Sequence, residues 1–157
     1  MPVFIAYVDL EERKKERAPE FLSNFNDTFV IEGAEAKLPL RFVGYPSPEI
    51  TWLFNGHEID KSDYYDITYD DEETCMYIHI ARPEHSGSYT CRLRNKFGLV
   101  EVKSQVSVAV KPQLEGRLTD QEALLGSELH FTCKYKGFPV PDVTWYHNKY
   151  TLTVSLL

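Results

Sequence analysis

The chain has 157 residues, of which 43% are hydrophobic, and a formal net charge of −7, so it is long enough for one or two folded domains. The negative charge argues against a nucleic-acid-binding protein, which would normally carry a basic stripe to neutralise phosphates. No run approaches the ~20 consecutive apolar residues of a membrane-spanning helix. We therefore expect neither a nucleic acid nor a membrane as a partner.

Residues 1–18 form a charged leader. An apolar start, Met1–Val8, precedes the charged run Asp9–Arg17, which is the reverse of the order in a secretory signal, so no export signal is predicted. Asp9 and Glu12 fit a capping box and predict a short helix that Pro19 ends.

Beyond this leader, short runs of alternating apolar and polar residues are separated by turn residues such as Asn55-Gly56 and the segment 95–98. Alternation with period 2 is typical of half-buried strands. The apolar positions are Ala36, Leu38, Leu40 and Phe42; Ile50, Trp52 and Phe54; Met76 and Ile78; Tyr89, Cys91 and Leu93; Val106, Val108 and Val110. Many short strands of this kind predict an all-β sandwich or barrel.

The sequence repeats itself. A shift of 93 residues places Gly33 on Gly126 and Trp52 on Trp145, with Gly44, Pro46, Pro48 and Asn55 also matched. We expect one complete domain over residues 19–110 and the N-terminal part of a second, strands A to C or C′, over 111–157.

Two motifs carry a family resemblance. The first is Gly44-x-Pro46-x-Pro48 followed by Trp52, and the second is Ser86-Gly87-x-Tyr89-x-Cys91. Together they resemble the I-set domains of the immunoglobulin superfamily. The resemblance implies an immunoglobulin-like β-sandwich in which the Gly44 motif lies on strand C, Trp52 packs between the sheets and Tyr89 forms a tyrosine corner.

The resemblance and the alternation together predict the structural core. Its expected members are Leu38, Leu40, Trp52, Met76, Ile78, Tyr89, Cys91 and Leu93, with Cys133 and Trp145 in the second copy.

The cysteines depart from the family pattern. Leu40 occupies the place where the family has its strand-B cysteine, so Cys91 lacks its usual partner. Cys75 is out of phase with the apolar face of its strand and points away from the core. We expect no disulfide and free thiols at Cys75 and Cys91, an arrangement that suits the reducing cytosol.

No motif for catalysis, a cofactor or a metal site is found, so we expect a protein that is not an enzyme and takes no small-molecule substrate. His85 stands where the family usually has Asp, which is expected to weaken a loop hydrogen bond. Both His85 and His79 are interpreted as solvent-facing polar residues rather than ligands.

An acidic run needs separate consideration. It consists of Asp60, Asp63, Asp66, Asp70, Asp71, Glu72 and Glu73, interleaved with tyrosines. A calcium loop would have tighter ligand spacing and a glycine turn, so a solvated strand edge is the preferred interpretation. An acidic face that docks a basic partner is the functional alternative.

The resemblance extends to function. Lys111-Pro112 joins the copies without a Gly/Ser linker, which predicts a stiff tandem like the cytosolic I-set arrays of titin, twitchin, obscurin, myotilin and palladin. These imply a structural and protein-interaction module of the sarcomere or actin cytoskeleton. Its partners would be filament or cytoskeletal components such as actin, myosin and other immunoglobulin, Z-disc or M-band proteins.

Two alternatives remain open. An extracellular adhesion or receptor domain would explain Cys133 with Trp145 and the glycosylation triplet that begins at Asn26. Alternatively, the chain is an immunoglobulin segment that flanks the kinase of a large muscle kinase.

Overall fold

The computed structural model describes residues 15–153. The short helix expected in the leader lies outside them. The chain forms two compact units, one ending at Val108 and one beginning at Ala109.

The first unit is built from strands, with one 3-10 turn at Pro83–His85 and no α-helix among its described residues. The strands are β1 (Arg17–Phe21), β2 (Thr28–Ile31), β3 (Ala36–Tyr45), β4 (Glu49–Phe54), β5 (His57–Glu58), β6 (Tyr65–Tyr69), β7 (Glu73–Ile78), β8 (Gly87–Asn95) and β9 (Gly98–Leu114), the last of which continues into the second unit. The predicted all-β class is confirmed.

The strands form two sheets. One has the order β1-β3-β7-β6, and the other contains β9-β8-β4-β5, with β2 pairing β9. Alternation explains how the sheets enclose a core. In β3, Leu38, Leu40 and Phe42 are buried whereas Lys37 and Arg41 are exposed, and Leu38 lies opposite Met76 of β7. Side chains at every second position therefore meet in one apolar layer between the sheets.

Two strand boundaries differ from those expected from the sequence. Gly44 lies at the end of β3 rather than on the strand that carries Trp52, because β1 pairs there and extends the ladder from Arg17 to Tyr45. Residues Arg17 and Ala18, expected in the leader, belong to β1 for the same reason. A Cβ atom at position 44 would lie 2.9 Å from Cγ of Pro48 and 3.2 Å from Cα of Pro19, so glycine permits this close approach.

Tight turns precede β3 and β5. Between β2 and β3, the amide of Ala34 donates to the Ile31 carbonyl at 3.0 Å and Gly33 has φ +85°, as a type II turn requires. Between β4 and β5, Asn55 (φ 49°) and Gly56 (φ 84°) form the two-residue type I′ hairpin turn.

The second unit repeats the local backbone of the first. Residues 110–114 of β9 pair with β10 (Tyr135–Phe138), and β11 (Tyr146–His147) pairs with β12 (Tyr150–Thr151). Gly126 (φ 89°) and Asn148 (φ 49°) reproduce the turn conformations of their counterparts Gly33 and Asn55.

The expected core positions of the second unit differ from the prediction. Cys133 and Trp145 are only partly buried, and Leu124 and Val140 are 85% and 79% exposed. The physical reason is that, within residues 109–153, the strands form only two short pairings, β10 with β9 and β11 with β12, which are too few to enclose these side chains.

Candidate interaction surfaces

The eight core residues expected in the first domain lie between its two sheets. All are 2% exposed or less: Leu38, Leu40, Trp52, Met76, Ile78, Tyr89, Cys91 and Leu93. This core holds the outer faces and edges of the sheets in fixed positions, and those surfaces are what the fold offers to a partner.

A buried hydrogen bond joins the sheets. Nε1 of Trp52, on β4, donates to Oγ1 of Thr74, on β7, at 3.1 Å, and the Thr74 hydroxyl donates to the Thr68 carbonyl at 3.1 Å. The sequence interpretation missed Thr74. The available signal was its phase, since Thr74, Met76 and Ile78 occupy alternate buried positions of one strand.

The tyrosine corner is present. The Tyr89 hydroxyl donates to the His85 carbonyl at 2.9 Å and lies 3.4 Å from the Tyr65 hydroxyl. Burial raises the pKa of Tyr89, so the phenol stays neutral and remains a donor.

The interpretation of His85 as a solvent-facing residue is wrong. Its side chain is 6% exposed, with ring centroids 5.8 Å from Tyr64 and 5.5 Å from Tyr65. Nδ1 accepts a hydrogen bond from the Arg82 amide at 3.1 Å, so His85 makes the loop hydrogen bond that was expected to be weakened. Burial lowers the pKa of His85. His79 is exposed, with Nδ1 3.9 Å from Glu35.

All three cysteines are free thiols. Cys91 is 0% exposed, and burial raises its pKa to about 12, which leaves the thiol protonated and unreactive. Cys75 is partly buried on the outer face of β7, in a groove of about 670 Å³ lined by Arg41, Tyr69 and Tyr77 among others. Burial raises the pKa of Cys75 as well.

The structure does not bring the acidic run together into one cluster. Asp60 and Asp63 lie in the β5–β6 connection, Asp66 is on β6, Asp70, Asp71 and Glu72 form the β6–β7 turn, and Glu73 begins β7. Among residues 15–153, no group of three or more His, Cys, Asp or Glu side chains is arranged to hold a metal ion.

Several of these carboxylates have structural partners. Asp66 pairs with Lys61 at 2.8 Å and Glu73 with Arg41 at 3.2 Å. Oδ1 of Asp70 accepts from the amides of Glu72 and Glu73, both at 2.8 Å. The hydrogen bond from Lys61 lowers the pKa of Asp66, and the two backbone bonds lower that of Asp70.

Two large apolar side chains on β2 are exposed, and the sequence interpretation missed them. Phe29 and Ile31 are 67% and 54% exposed.

Within the described residues, no helix is sufficiently long and apolar to traverse a bilayer.

Two facing antiparallel sheets, a central tryptophan and a tyrosine corner define an immunoglobulin-like β-sandwich. The family model of the immunoglobulin I-set domain matches residues 19–108 and 112–155. The chain belongs to the immunoglobulin I-set family.

The relatives include muscle and cell-adhesion proteins. Smooth muscle myosin light chain kinase of Gallus gallus is 28% identical over 141 residues, which cover 87% of this chain and 7% of that protein. The muscle M-line assembly protein unc-89 of Caenorhabditis elegans is 27% identical, covering 93% of this chain and 2% of its own. The cell adhesion molecule DSCAM of Homo sapiens is 27% identical, covering 83% and 6%. The chain thus spans a small part of each relative.

Solved titin structures share the fold. An I-band fragment of titin superimposes with a TM-score of 0.78 at 21% identity, over 88% of this chain and 50% of that one. A chain from a complex of titin with an obscurin-like 1 immunoglobulin domain gives a TM-score of 0.59 at 30% identity, over 61% and 98%.

Proposed function

We propose that this chain is a structural and protein-interaction module of a cytosolic immunoglobulin-repeat protein of muscle or the actin cytoskeleton. The observation that carries the proposal is the core itself. Leu40 and Cys91 are both fully buried, with Cys91 a free thiol, so the two sheets are held by apolar packing and a hydrogen bond instead of a disulfide. Such a core suits a compartment in which thiols stay reduced.

The proposed partners are proteins, and the proposed role is not catalytic. Immunoglobulin sandwiches typically serve as recognition and linking modules, although fold alone does not define a function. We propose filament and cytoskeletal components as partners, such as actin, myosin and other immunoglobulin proteins of the Z-disc or M-band, and the muscle relatives support a partner in muscle. The titin complex with an obscurin-like 1 domain supports contacts with another immunoglobulin domain.

The acidic residues are proposed to act mainly as a solvated, internally paired edge. Asp66 and Glu73 already pair with cations of their own chain, and Asp70 closes a turn. If the run instead steered a basic partner, the association rate would fall steeply with added salt, whereas an internally paired edge leaves that rate nearly unchanged.

Two measurements test the proposal. Native protein is isolated under thiol-blocking conditions and examined by mass spectrometry, and the recombinant chain is co-sedimented with actin and with myosin filaments. We expect an unmodified Asn26, blocked free thiols and enrichment with one of the filaments. A glycan on Asn26 in native material would contradict a cytosolic module.

A second function is favoured by specific observations. Asn26 is exposed two residues before β2, as a glycan acceptor has to be, and DSCAM is among the relatives. An extracellular adhesion domain is therefore the alternative that the glycan measurement would select. The similarity to a myosin light chain kinase supports a third candidate, a segment adjacent to a kinase domain, which sequencing of the full transcript distinguishes.

A further inference from the structure

We propose that β2 is a docking edge that receives an extended segment of a partner protein, with apolar side chains at alternate positions and a lysine or arginine at each flank. This inference rests on the proposed function as a protein-interaction module and specifies the surface and the partner chemistry.

The first observation is the composition of the strand. In β2 (Thr28–Ile31), Val30 packs against the core while Phe29 and Ile31 are 67% and 54% exposed. Edge strands in monomeric proteins are usually protected by charges, proline or bulges. β2 has no charged residue and no proline within its four residues, and it presents two large apolar side chains on one face.

The second observation is that β2 pairs with one neighbouring strand and is anchored to it by a side chain next to the strand. Its partner is β9. Asp27, which precedes the strand, accepts hydrogen bonds from the Gln105 amide at 2.8 Å and from the Ser104 hydroxyl at 3.3 Å. The strand is therefore positioned before any partner arrives, which reduces the entropic cost of binding.

The edge strand β6 provides a contrast. There the amide of Ile67 donates to Asp66 Oδ1 at 2.9 Å, and the amide of Tyr65 donates to Ser62 Oγ at 3.3 Å. These side chains occupy donors that an added strand would need. In the described part of the chain, no side-chain hydrogen bond closes the amides of β2 in this way.

The turn that follows β2 does not depend on Phe29. The β2–β3 turn recurs at Leu124–Ser127, where the Ser127 amide donates to the Leu124 carbonyl at 3.0 Å. In that copy, the 93-residue shift places Glu122 at the position of Phe29. The turn therefore forms with a charged residue at this position, and in that copy residues 121–124 form no strand.

The acidic residues on either side of β2 favour a partner segment with basic flanks over a second copy of this chain. Asp27 and Glu32 flank the strand, and an antiparallel pair of two copies that overlaps all four residues would place Asp27 opposite Glu32 at both ends. Like charges directly opposite destabilise a strand pair. A partner segment with basic flanks and apolar alternate residues instead pairs its charges with Asp27 and Glu32 and covers Phe29 and Ile31, by the strand-addition mode of peptide recognition.

The test uses the full chain and short synthetic peptides. The probe alternates valine and threonine between terminal lysines. One comparison peptide has the same composition with its valines contiguous, and another has terminal glutamates. Binding is measured by fluorescence anisotropy and mapped by amide chemical shifts. We expect the probe to bind with shifts centred on β2 and β9, and the two comparison peptides to bind more weakly.

Variants assign the binding to β2. The double variant Phe29→Thr with Ile31→Thr keeps strand propensity and is expected to weaken probe binding about tenfold. Glu32→Lys should reverse the preference between lysine and glutamate flanks. Leu99→Thr, which alters an equally exposed residue (51%) on β9, should leave binding unchanged. Failure of the probe to bind, or equal binding by the double variant, would overturn the proposal.

Two outcomes separate this inference from the proposed function. If the chain co-sediments with filaments but the probe does not bind, or binds the double variant equally, the docking edge is wrong and the proposed function stands. If the chain forms a concentration-dependent dimer in sedimentation that the double variant abolishes, β2 pairs with a second copy and the partner assignment is wrong.

Discussion

Trp52 is a buried indole whose N–H has a single acceptor. That acceptor is the Thr74 hydroxyl, 3.1 Å away across the sheets. Thr74→Val preserves shape and removes the acceptor, so a buried donor is left unsatisfied and the free energy of unfolding should fall by about 1–3 kcal/mol. Urea denaturation measures the change, with Thr74→Ser as the matched control that keeps the hydroxyl. Equal losses in both variants would assign the effect to packing.

Leu40 is predicted to occupy the strand-B cysteine position of the family. Leu40→Cys tests this prediction because Cys91 is free and buried in the same core. The reduced variant should lose about 1–3 kcal/mol of stability through the smaller side chain. Oxidation should then add about 2–4 kcal/mol by linking to Cys91. Denaturation with and without reductant measures both, and Leu40→Ala, which cannot cross-link, should show no redox dependence.

We expect His85 to make the free energy of unfolding depend on pH. Burial lowers its folded-state pKa below the unfolded value near 6.5, and protonation would place a proton on the nitrogen that accepts from the Arg82 amide. The unfolded chain therefore binds more protons as the pH falls through about 6.5, and stability decreases until the folded-state pKa is passed.

The neighbours of His85 define the control for this prediction. Glu84 raises the pKa of His85 and Arg82 lowers it, and the rings of Tyr64 and Tyr65 pack against the imidazole. His85→Asn keeps an acceptor without a titrating group, so its stability should vary less between pH 7.5 and about 5.5. Thermal unfolding over that range measures the difference. Identical pH profiles for both proteins would rule out His85 as the cause.

At the residue scale, the sequence predicted the core residues that recur with a regular period. The alternating apolar residues and Trp52 could be identified because burial at every second position leaves a pattern. The phase of Thr74 also indicated burial, but the hydrogen-bond partners of Thr74 and His85, which are Trp52 and the Arg82 amide, could not be predicted because tertiary structure supplies them.

At the scale of the element, the end of β3 requires glycine at position 44, because a side chain there would contact Pro48 and Pro19. Gly44→Ala would bring a Cβ atom to 2.9 Å from Pro48 and 3.2 Å from the backbone of Pro19, so β1 or the turn after β3 has to shift. We expect a loss of about 1–3 kcal/mol from overpacking. Combining it with Pro48→Ala should recover part of the loss, because one of the two close contacts is removed. Strict additivity in a double-mutant cycle would refute this cause.

Strands were predictable where they alternate, and their ends were not. β3, β7 and β8 show regular burial periods. β1 and the last residues of β3 have no such period and are defined by pairing with each other. β2 was missed as a surface because four residues are too few for a period, and its exposure depends on which neighbour the sheet order gives it.

At the scale of the whole molecule, the two units should differ in resistance to proteolysis. Residues 113–153 expose large apolar side chains such as Leu118, Phe131 and Tyr150, and few of their backbone groups are in strands. Limited trypsin digestion should remove this segment within minutes while residues 20–110 persist, because cleavage tracks local opening. Mass spectrometry of the resistant fragment tests this expectation, and equal protection of both units would contradict it.

The unlinked Cys91 also determines how the first domain would respond to tension. A covalent bridge from β3 to β8 would keep the intervening loop closed however hard the ends were pulled. Without such a bridge, every residue from 19 to 108 contributes contour length once the sheets separate, which amounts to roughly 300 Å of extended chain. If the domain were unfolded by tension, it would therefore release its whole contour length and recover it on refolding.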